Sequence, residues 1–149
     1  MKISKIILLI LVSIFFGCGS LGGFDIRTFD TKKKNIECAI DSFYSKYPEY
    51  RMPDKWKTYD FWDSAGYGFL DTRMFYFNSS PEEMYYVSFL KFPDSNSTSI
   101  AIRSVFDGKR WVNEDNTSRH EKYRIENRFD SEIVSKLEKY SNSNAIRGN

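Results

Sequence analysis

Residues 84–92 restrict the folds open to this chain more than any other stretch of the sequence. Apolar side chains occupy both sets of alternating positions, with Met84, Tyr86, Leu90 and Phe92 on one side and Tyr85, Val87 and Phe89 on the other. An alternation with a period of two predicts a β-strand. Because both of its faces are apolar, we expect a central strand that is covered on both sides, or a strand whose second face binds a partner.

A helix is predicted before this strand, over residues 31–46. Asp30 or Thr31 can cap it, and Pro48 ends it. Cys38 lies nearly opposite the apolar stripe at 100° per residue, so we expect its thiol on the outer face. The residues of that stripe recur at helical spacing and are Ile36, Ala39, Ile40, Phe43 and Tyr47.

A second helix is predicted near the end of the chain. Asp130 is the expected cap, Phe129 can pack against Val134 just inside the helix, and the pattern continues to about residue 140. The expected buried face of this helix consists of Ile133, Val134, Leu137 and Tyr140.

The clearest hairpin signal is Asp107-Gly108 between two strand-like runs, 99–106 and 109–113. Both positions of a two-residue turn favour a positive φ, which Asp-Gly supplies. This register predicts that Ser104 lies opposite Trp111. It also predicts one inward face shared by Ile100, Ile102, Phe106 and Trp111.

Three further strands are predicted from shorter alternations. Residues 66–70 and 73–77 are expected to pair through a turn at Asp71-Thr72, and residues 120–126 alternate charged with apolar side chains as a protected edge strand would. The whole pattern predicts an α+β fold: an antiparallel meander of five to six strands with an N-terminal and a C-terminal helix packed on one face. Two helices cover only one face of such a sheet, so the other face requires another partner.

The first residues have the form of an export signal. A basic start, Met1 to Lys5, precedes an apolar run over residues 6–16, which is too short to span a membrane. The end of this leader, Phe15-Phe16-Gly17-Cys18, resembles the lipobox of bacterial lipoproteins. Phe16 departs from the small residue usual in that family. The resemblance implies cleavage before Cys18, lipidation (palmitate) of Cys18, and attachment to the cell envelope, where we expect the outer membrane.

The alternative is ordinary cleavage after Gly19, which would release an unanchored protein. With lipidation, the chain divides into a signal peptide over residues 1–17, a lipidated N-terminus and flexible tether over 18–30, one α+β domain over 31–140 and a polar tail over 141–149. The tether would reach about 20 Å as a flexible coil. Lipidation of Cys18 leaves Cys38 without a disulfide partner.

Composition argues against several classes of function. The leader removes two of the 22 Lys and Arg residues, so the mature chain carries 20 basic and 20 acidic residues and gives no indication of a nucleic-acid partner. His120 is the only histidine, which excludes a His-ligated metal cluster and leaves one possible base for a nucleophile. No phosphate-binding glycine loop is present, because Gly66-Tyr67-Gly68 lacks a third glycine and a following helix. No cofactor is expected.

Two groups of side chains remain as candidate sites. Asp60 and Asp63 flank Phe61-Trp62, a carboxylate pair beside aromatic rings that is typical of glycosidases but common by chance. Aromatic rings are also concentrated nearby, and such rings recur at partner interfaces and under sugars. The candidate binding residues are Trp56, Tyr59, Trp62 and Tyr67.

The same rings could instead close one end of the core, with Trp62 expected to be more buried than Trp56, whose two neighbours are lysines. The sequence therefore predicts a membrane-anchored, non-enzymatic module that binds a protein or ligand in the envelope, such as an assembly accessory or an inhibitor or immunity protein. The alternatives are a glycan-binding protein or a small glycan-active hydrolase that uses Asp60 and Asp63.

Overall fold

The computed structural model describes residues 23–90 and 96–148. The leader, Cys18 and the start of the expected tether lie outside the described residues. The described chain forms an antiparallel sheet with helices, which confirms the predicted α+β class. None of the helices in these two ranges is long and apolar enough to cross a bilayer.

Six antiparallel strands form one sheet: β1 (Ile26–Phe29), β2 (Thr72–Phe77), β3 (Glu83–Leu90), β4 (Thr98–Phe106), β5 (Trp111–Val112) and β6 (Ala145–Gly148). Their order across the sheet is β2–β3–β4–β1–β6, with β5 paired to the end of β4. The stretch that alternates apolar residues on both faces is β3, and seven of its eight residues are buried.

Helices pack on one face of the sheet. They are α1 (Lys33–Lys46), α2 (Arg119–Phe129) and α3 (Ser135–Ser141), with a π-helical turn at Asp130–Val134 joining the last two. The main core lies between these helices and the sheet. Its fully buried members include Phe29, Ile36, Phe43, Phe75, Tyr85, Ile102, Phe129, Ile133 and Leu137.

Strand β1 corrects the predicted tether. Residues 26–29 pair with β4 on one side and β6 on the other, and Phe24 is already buried. Arg27 is 1% exposed, and its guanidinium forms a two-point ion pair with Asp130 through bonds of 2.7 and 2.9 Å. The prediction of a flexible tether is therefore wrong for residues 26–29.

The β4–β5 hairpin has a longer loop than Asp107-Gly108 predicted. Phe106 pairs with Trp111, so the loop contains four residues, and the expected pairing of Ser104 with Trp111 is wrong. The Asp107 carboxylate accepts backbone hydrogen bonds from Lys109 at 2.9 Å and Arg110 at 2.8 Å. These bonds stabilise the wider turn.

A β-bulge at Arg103 divides β4 into two registers. Val87 pairs with Ile102 and Tyr86 with Ser104, so Arg103 is the extra residue. A bulge reverses which side chains face each way beyond it. Ile102 consequently packs in the core beneath the helices, whereas Phe106 belongs to a second cluster, and the predicted common face is wrong.

Gly108 has a φ of +89°, and a Cβ there would lie 3.9 Å from Cζ2 of Trp56. Because a side chain at this φ is strained, Gly108→Ala is expected to lower the free energy of unfolding by about 1–2 kcal/mol. Urea denaturation measures this. Gly148→Ala is the matched control, since Gly148 has open space around it and no positive φ. Equal effects of both changes would contradict the assigned turn.

Three other predicted elements are corrected. Residues 120–126 belong to helix α2 rather than an edge strand: Ser118 caps it by accepting a bond from the Glu121 amide at 3.2 Å, and Ile125 and Phe129 are buried one turn apart. Asp130 lies inside the continuous helical path, not at its start. Part of the expected polar tail forms strand β6 on the outer edge of β1.

The second face of the sheet is covered by residues 52–70, which we call the aromatic loop. Residues 66–70 are not a strand, since a π-helical turn at Asp63–Tyr67 precedes β2. The aromatic loop contributes Trp56 to a second buried cluster with side chains from the strands beneath it. That cluster comprises Trp56, Tyr76, Met84 and Phe106, with Met52, Met74 and Trp111 packed against it.

Candidate functional site

A groove opens between the aromatic loop and the sheet face beneath it. Its volume is about 180 Å³. The loop and strand β3 supply an aromatic floor, β4 supplies Arg103, and the chain after β5 supplies a polar wall. The lining residues of this aromatic groove are Trp62, Tyr67, Leu70, Tyr86, Arg103, Asn113, Glu114 and Asp115.

Trp62 is the centre of the groove. Its ring lies parallel to that of Tyr86, with centroids 4.4 Å apart and an angle of 10°. The rings of Trp111, at 5.0 Å, and Tyr67, at 5.5 Å, meet it edge-on. Trp111 in turn donates a hydrogen bond from Nε1 to the Tyr59 carbonyl oxygen at 3.0 Å. These contacts hold the aromatic loop on the sheet and pre-form the groove.

The four predicted binding residues do not share one environment. Trp56 is 7% exposed and packs edge-on against Tyr76 and Phe106. The expectation that Trp62 is the more buried tryptophan is wrong, because Trp62 is only half-buried. Tyr59 and Tyr67 are each 38% exposed, but Tyr59 packs on Phe106, at a ring separation of 4.4 Å. Trp62 and Tyr67 therefore lie in the aromatic groove.

Two exposed phenylalanines beside the groove were missed by the sequence analysis. Phe61 is 45% exposed next to Trp62, and Phe69 is 60% exposed next to Tyr67. Phe69 was placed inside a predicted strand, which concealed it. The density of aromatic residues over 56–69 was the available signal. Rings of this size exposed together are uncommon on a surface that meets only water.

Arg103 is the cation of the groove. The bulge in β4 directs the Arg103 side chain to the second face of the sheet, which the aromatic loop covers. There its Nε donates a hydrogen bond to the Ser88 hydroxyl at 2.6 Å. Burial lowers the pKa of the Arg103 guanidinium, while the nearby Tyr86 opposes that shift. Across the groove, Glu114 forms an ion pair with Lys122, and Asp115 is exposed.

Asp60 and Asp63 lie close to each other and to the groove. Burial raises the pKa of Asp60, and the charge of Asp63 raises it further. Both charges also contribute to the raised pKa of the Tyr86 hydroxyl, after the larger effect of burial. In the described part of the chain, neither carboxylate forms an ion pair. A carboxyl with a raised pKa can donate a proton, but both side chains are exposed to solvent.

The raised pKa of Asp60 has a consequence for stability. Its ionised form is less favourable in the folded state, so this contribution to stability is present below the unfolded pKa and is lost as the pH rises through the folded pKa. Asp60→Asn is therefore expected to stabilise the protein at pH 7 and to have no such effect at pH 3. Thermal unfolding at the two pH values measures this. Asp54→Asn is the control, because Lys57 lowers the pKa of Asp54. Removal of this carboxylate should therefore destabilise the folded protein slightly at pH 7. A stabilising effect of Asp60→Asn that is equal at both pH values would contradict the assignment.

His120 lines a second, larger cavity of about 700 Å³ beside α2. Four of its five charged side chains are joined by ion pairs: Asp25 pairs with Lys122 at 3.0 Å and with Arg147 at 2.8 Å, and Arg147 also pairs with Glu126. His120 itself is exposed. We find no nucleophile hydrogen-bonded to it within the described ranges.

Cys38 is exposed on the outer face of α1, as its helical position predicted. Among the residues that the structure describes, no three His, Cys, Asp or Glu side chains are placed to hold a metal ion.

No family model, curated protein or solved structure matches this chain.

Proposed function

We propose that this protein is a small membrane-anchored lipoprotein of the bacterial envelope that binds a protein partner through the aromatic groove, without chemistry of its own. The observation that carries the proposal is the surplus of aromatic surface around the groove. After the aromatic loop has covered the sheet, Phe61, Tyr67 and Phe69 remain exposed together. Burial of such rings against a partner is a main source of binding free energy in protein interfaces.

The anchor in this proposal rests on the leader. A basic start, a short apolar run and Gly17-Cys18 support export and lipidation at Cys18, with the outer membrane as the proposed location. The mass of the mature N-terminal peptide tests it. Acylated Cys18 is the expected result, and an unacylated chain that begins at Ser20 would refute the anchor.

A protein partner fits the groove better than a glycan does. A sugar platform needs a flat, open ring face, but the most central ring, Trp62, stacks on Tyr86. A protein interface instead has a compact apolar centre with a polar rim. Here Asp60, Asp63 and Asp115 are exposed around the rings and form such a rim.

Tyr67→Ala is the direct test of the groove. Because Tyr67 is partly exposed and supports Trp62 edge-on, its loss is expected to weaken partner binding by about 30-fold, which corresponds to about 2 kcal/mol. The affinity of the purified variants for the captured partner measures this. Tyr123→Ala is the matched control, since Tyr123 is 64% exposed on α2, away from the groove. Equal affinities of the two variants would refute the groove as the site.

The glycan-active alternative keeps one supporting observation, the raised pKa of Asp60 beside Asp63. A general acid of a glycosidase requires such a shift. This alternative predicts the release of reducing sugar from peptidoglycan or envelope polysaccharide and its loss in Asp60→Asn. The absence of turnover, together with partner binding that Tyr67→Ala weakens, would favour the binding module.

A further inference from the structure

We infer that the aromatic groove binds a segment of its partner in which a lysine or arginine lies among apolar side chains, with the basic group held by Asp60 and Asp63. This inference rests on the protein partner of the proposed function and adds the charge of the segment that contacts the groove. It follows from the excess of carboxylates at the groove, from the ion pairs of the neighbouring cations, and from the position of two carboxylates among the exposed rings.

Three carboxylates at the groove have no counter-charge in the described chain. Asp60, Asp63 and Asp115 are all exposed. Within residues 23–90 and 96–148, none of the three forms an ion pair. Asp115 lines the polar wall of the groove, and the other two lie on the aromatic loop opposite. The rim of the groove is therefore acidic on both sides.

Cations near the groove are already bound by other groups. Arg103, within the groove, donates to the Ser88 hydroxyl on the sheet. One guanidinium therefore stands against three carboxylates, and a positively charged segment of a partner would balance the difference. The neighbouring cations form the ion pairs Lys55–Glu82, Lys57–Asp54, Arg110–Asp107, Lys122–Glu114 and Lys122–Asp25.

Asp63 lies among the exposed rings. A Cβ on Gly68 would be 3.5 Å from Oδ1 of Asp63, and Gly68 separates Tyr67 from Phe69 in the chain. Burial raises the pKa of Asp60, and the nearby charge of Asp63 raises it further. Two like charges held this close repel each other, and a cation placed beside both would relieve the repulsion.

Burial of the rings requires a counter-charge from the partner. Phe61 is 45% exposed and Phe69 is 60% exposed, and a partner that covers them also removes water from Asp60 and Asp63. A carboxylate that loses water without gaining a partner costs several kcal/mol, as a rule of thumb about 3–5. An acidic segment would be repelled, and a purely apolar one would leave both charges unpaired. A lysine or arginine avoids this cost, because its stem packs on the rings while its charged end meets the carboxylates.

Photo-cross-linking from position 69 tests the charge of the partner segment. The residue p-benzoylphenylalanine replaces Phe69 in the full chain, and the yield of protein adduct is measured in cells. The expected result is a loss of at least five-fold in Asp60→Asn with Asp63→Asn, because the charges are removed while the rings remain. Asp60→Glu with Asp63→Glu keeps the charges and should retain most of the yield. The matched control is Asp41→Asn with Glu49→Gln, which removes two exposed carboxylates on and just after α1 and should change the yield less than two-fold.

Each outcome separates the charge of the partner segment from the site itself. An adduct with the same yield in Asp60→Asn with Asp63→Asn would overturn the basic segment while the aromatic groove stands as the site. A rise in yield would overturn it as well, since it would indicate an acidic segment. An equal loss in the α1 control would assign the effect to the net charge of the protein and not to the groove. No adduct from position 69 in the otherwise native chain would refute the groove and the basic segment together. Thermal unfolding at pH 7 checks the fold, and Asp60→Asn with Asp63→Asn should melt no lower than the native chain.

Discussion

Replacing Arg27 with alanine is expected to lower the free energy of unfolding by about 3 kcal/mol, because it leaves a cavity where a buried side chain was and removes the closest counter-charge of the half-buried Asp130. Arg27 is almost inaccessible in β1, where it pairs with Asp130 and approaches the buried Glu126 at 3.9 Å. Arg147 still pairs with Glu126 in such a variant, so the effect is placed at the lower end of the usual range for buried pairs. Urea denaturation of the purified mature domain measures it.

Arg110→Ala is the matched control for this change. Arg110 is exposed in the β4–β5 loop, and its ion pair with Asp107 is 4.0 Å long, so a change within about 0.5 kcal/mol is expected. If Arg27→Ala were equally mild, residues 26–29 would behave as the flexible tether that the sequence suggested.

Trp56→Ala is expected to cost about 3–5 kcal/mol, the usual range for removal of a large buried ring. Trp56 is packed between Tyr76 and Phe106, and it joins the aromatic loop to the sheet. Because the loop also supplies Trp62 and Tyr67, binding should be lost together with the fold of the loop. Thermal unfolding measures the loss of stability, and near-UV circular dichroism measures the loss of ordered aromatic packing in the loop.

Phe61→Ala is the matched control for stability in the same loop. Phe61 is among the most exposed of the aromatic residues, so its removal is expected to leave the melting temperature almost unchanged. A small effect of Trp56→Ala, comparable to that of Phe61→Ala, would contradict the assignment of Trp56 to the second core cluster. It would instead restore Trp56 as a surface residue, as the neighbouring lysines had suggested.

Periodicity predicted the elements whose apolar faces are continuous. The alternation over residues 84–92 identified β3 as a covered central strand, and the spacing of Ile133, Val134 and Leu137 identified a buried helical face. Tyr140, which was predicted on that same face, is 37% exposed. In both places local preference and tertiary packing agree. The α+β class followed from the same signals.

The predicted elements were wrong where a tertiary contact determines the conformation. Residues 26–29 were included in the tether because the glycine-containing stretch before them is weakly patterned, although Ile26, Thr28 and Phe29 are good strand formers. Pairing with β4 on one side and β6 on the other makes them β1. The bulge at Arg103 changed the register of β4, which no single-strand pattern reveals. Residues 120–126 alternate by chance, since Ile125 is buried as part of a helical stripe while Tyr123 points to solvent.

The sequence predicted that aromatic residues form the candidate site, but not which of those residues are exposed. The number of aromatic residues over 56–69 suggested either a closed core end or a functional surface, and the structure divides them: Trp56 is buried, whereas Trp62 and Tyr67 line the groove. Which rings remain exposed depends on how the loop crosses the sheet. Trp56 was misjudged because its neighbours Lys55 and Lys57 are exposed while its own ring turns inward.

Site-specific photo-cross-linking in cells tests the central proposal most directly. The cross-linking residue p-benzoylphenylalanine would replace Tyr67 in the groove or, as the control, Tyr123 on α2. We predict a discrete protein adduct from position 67 and none from position 123. The absence of a protein adduct from position 67, or the same adducts from both positions, would contradict the assignment of the aromatic groove as the binding site.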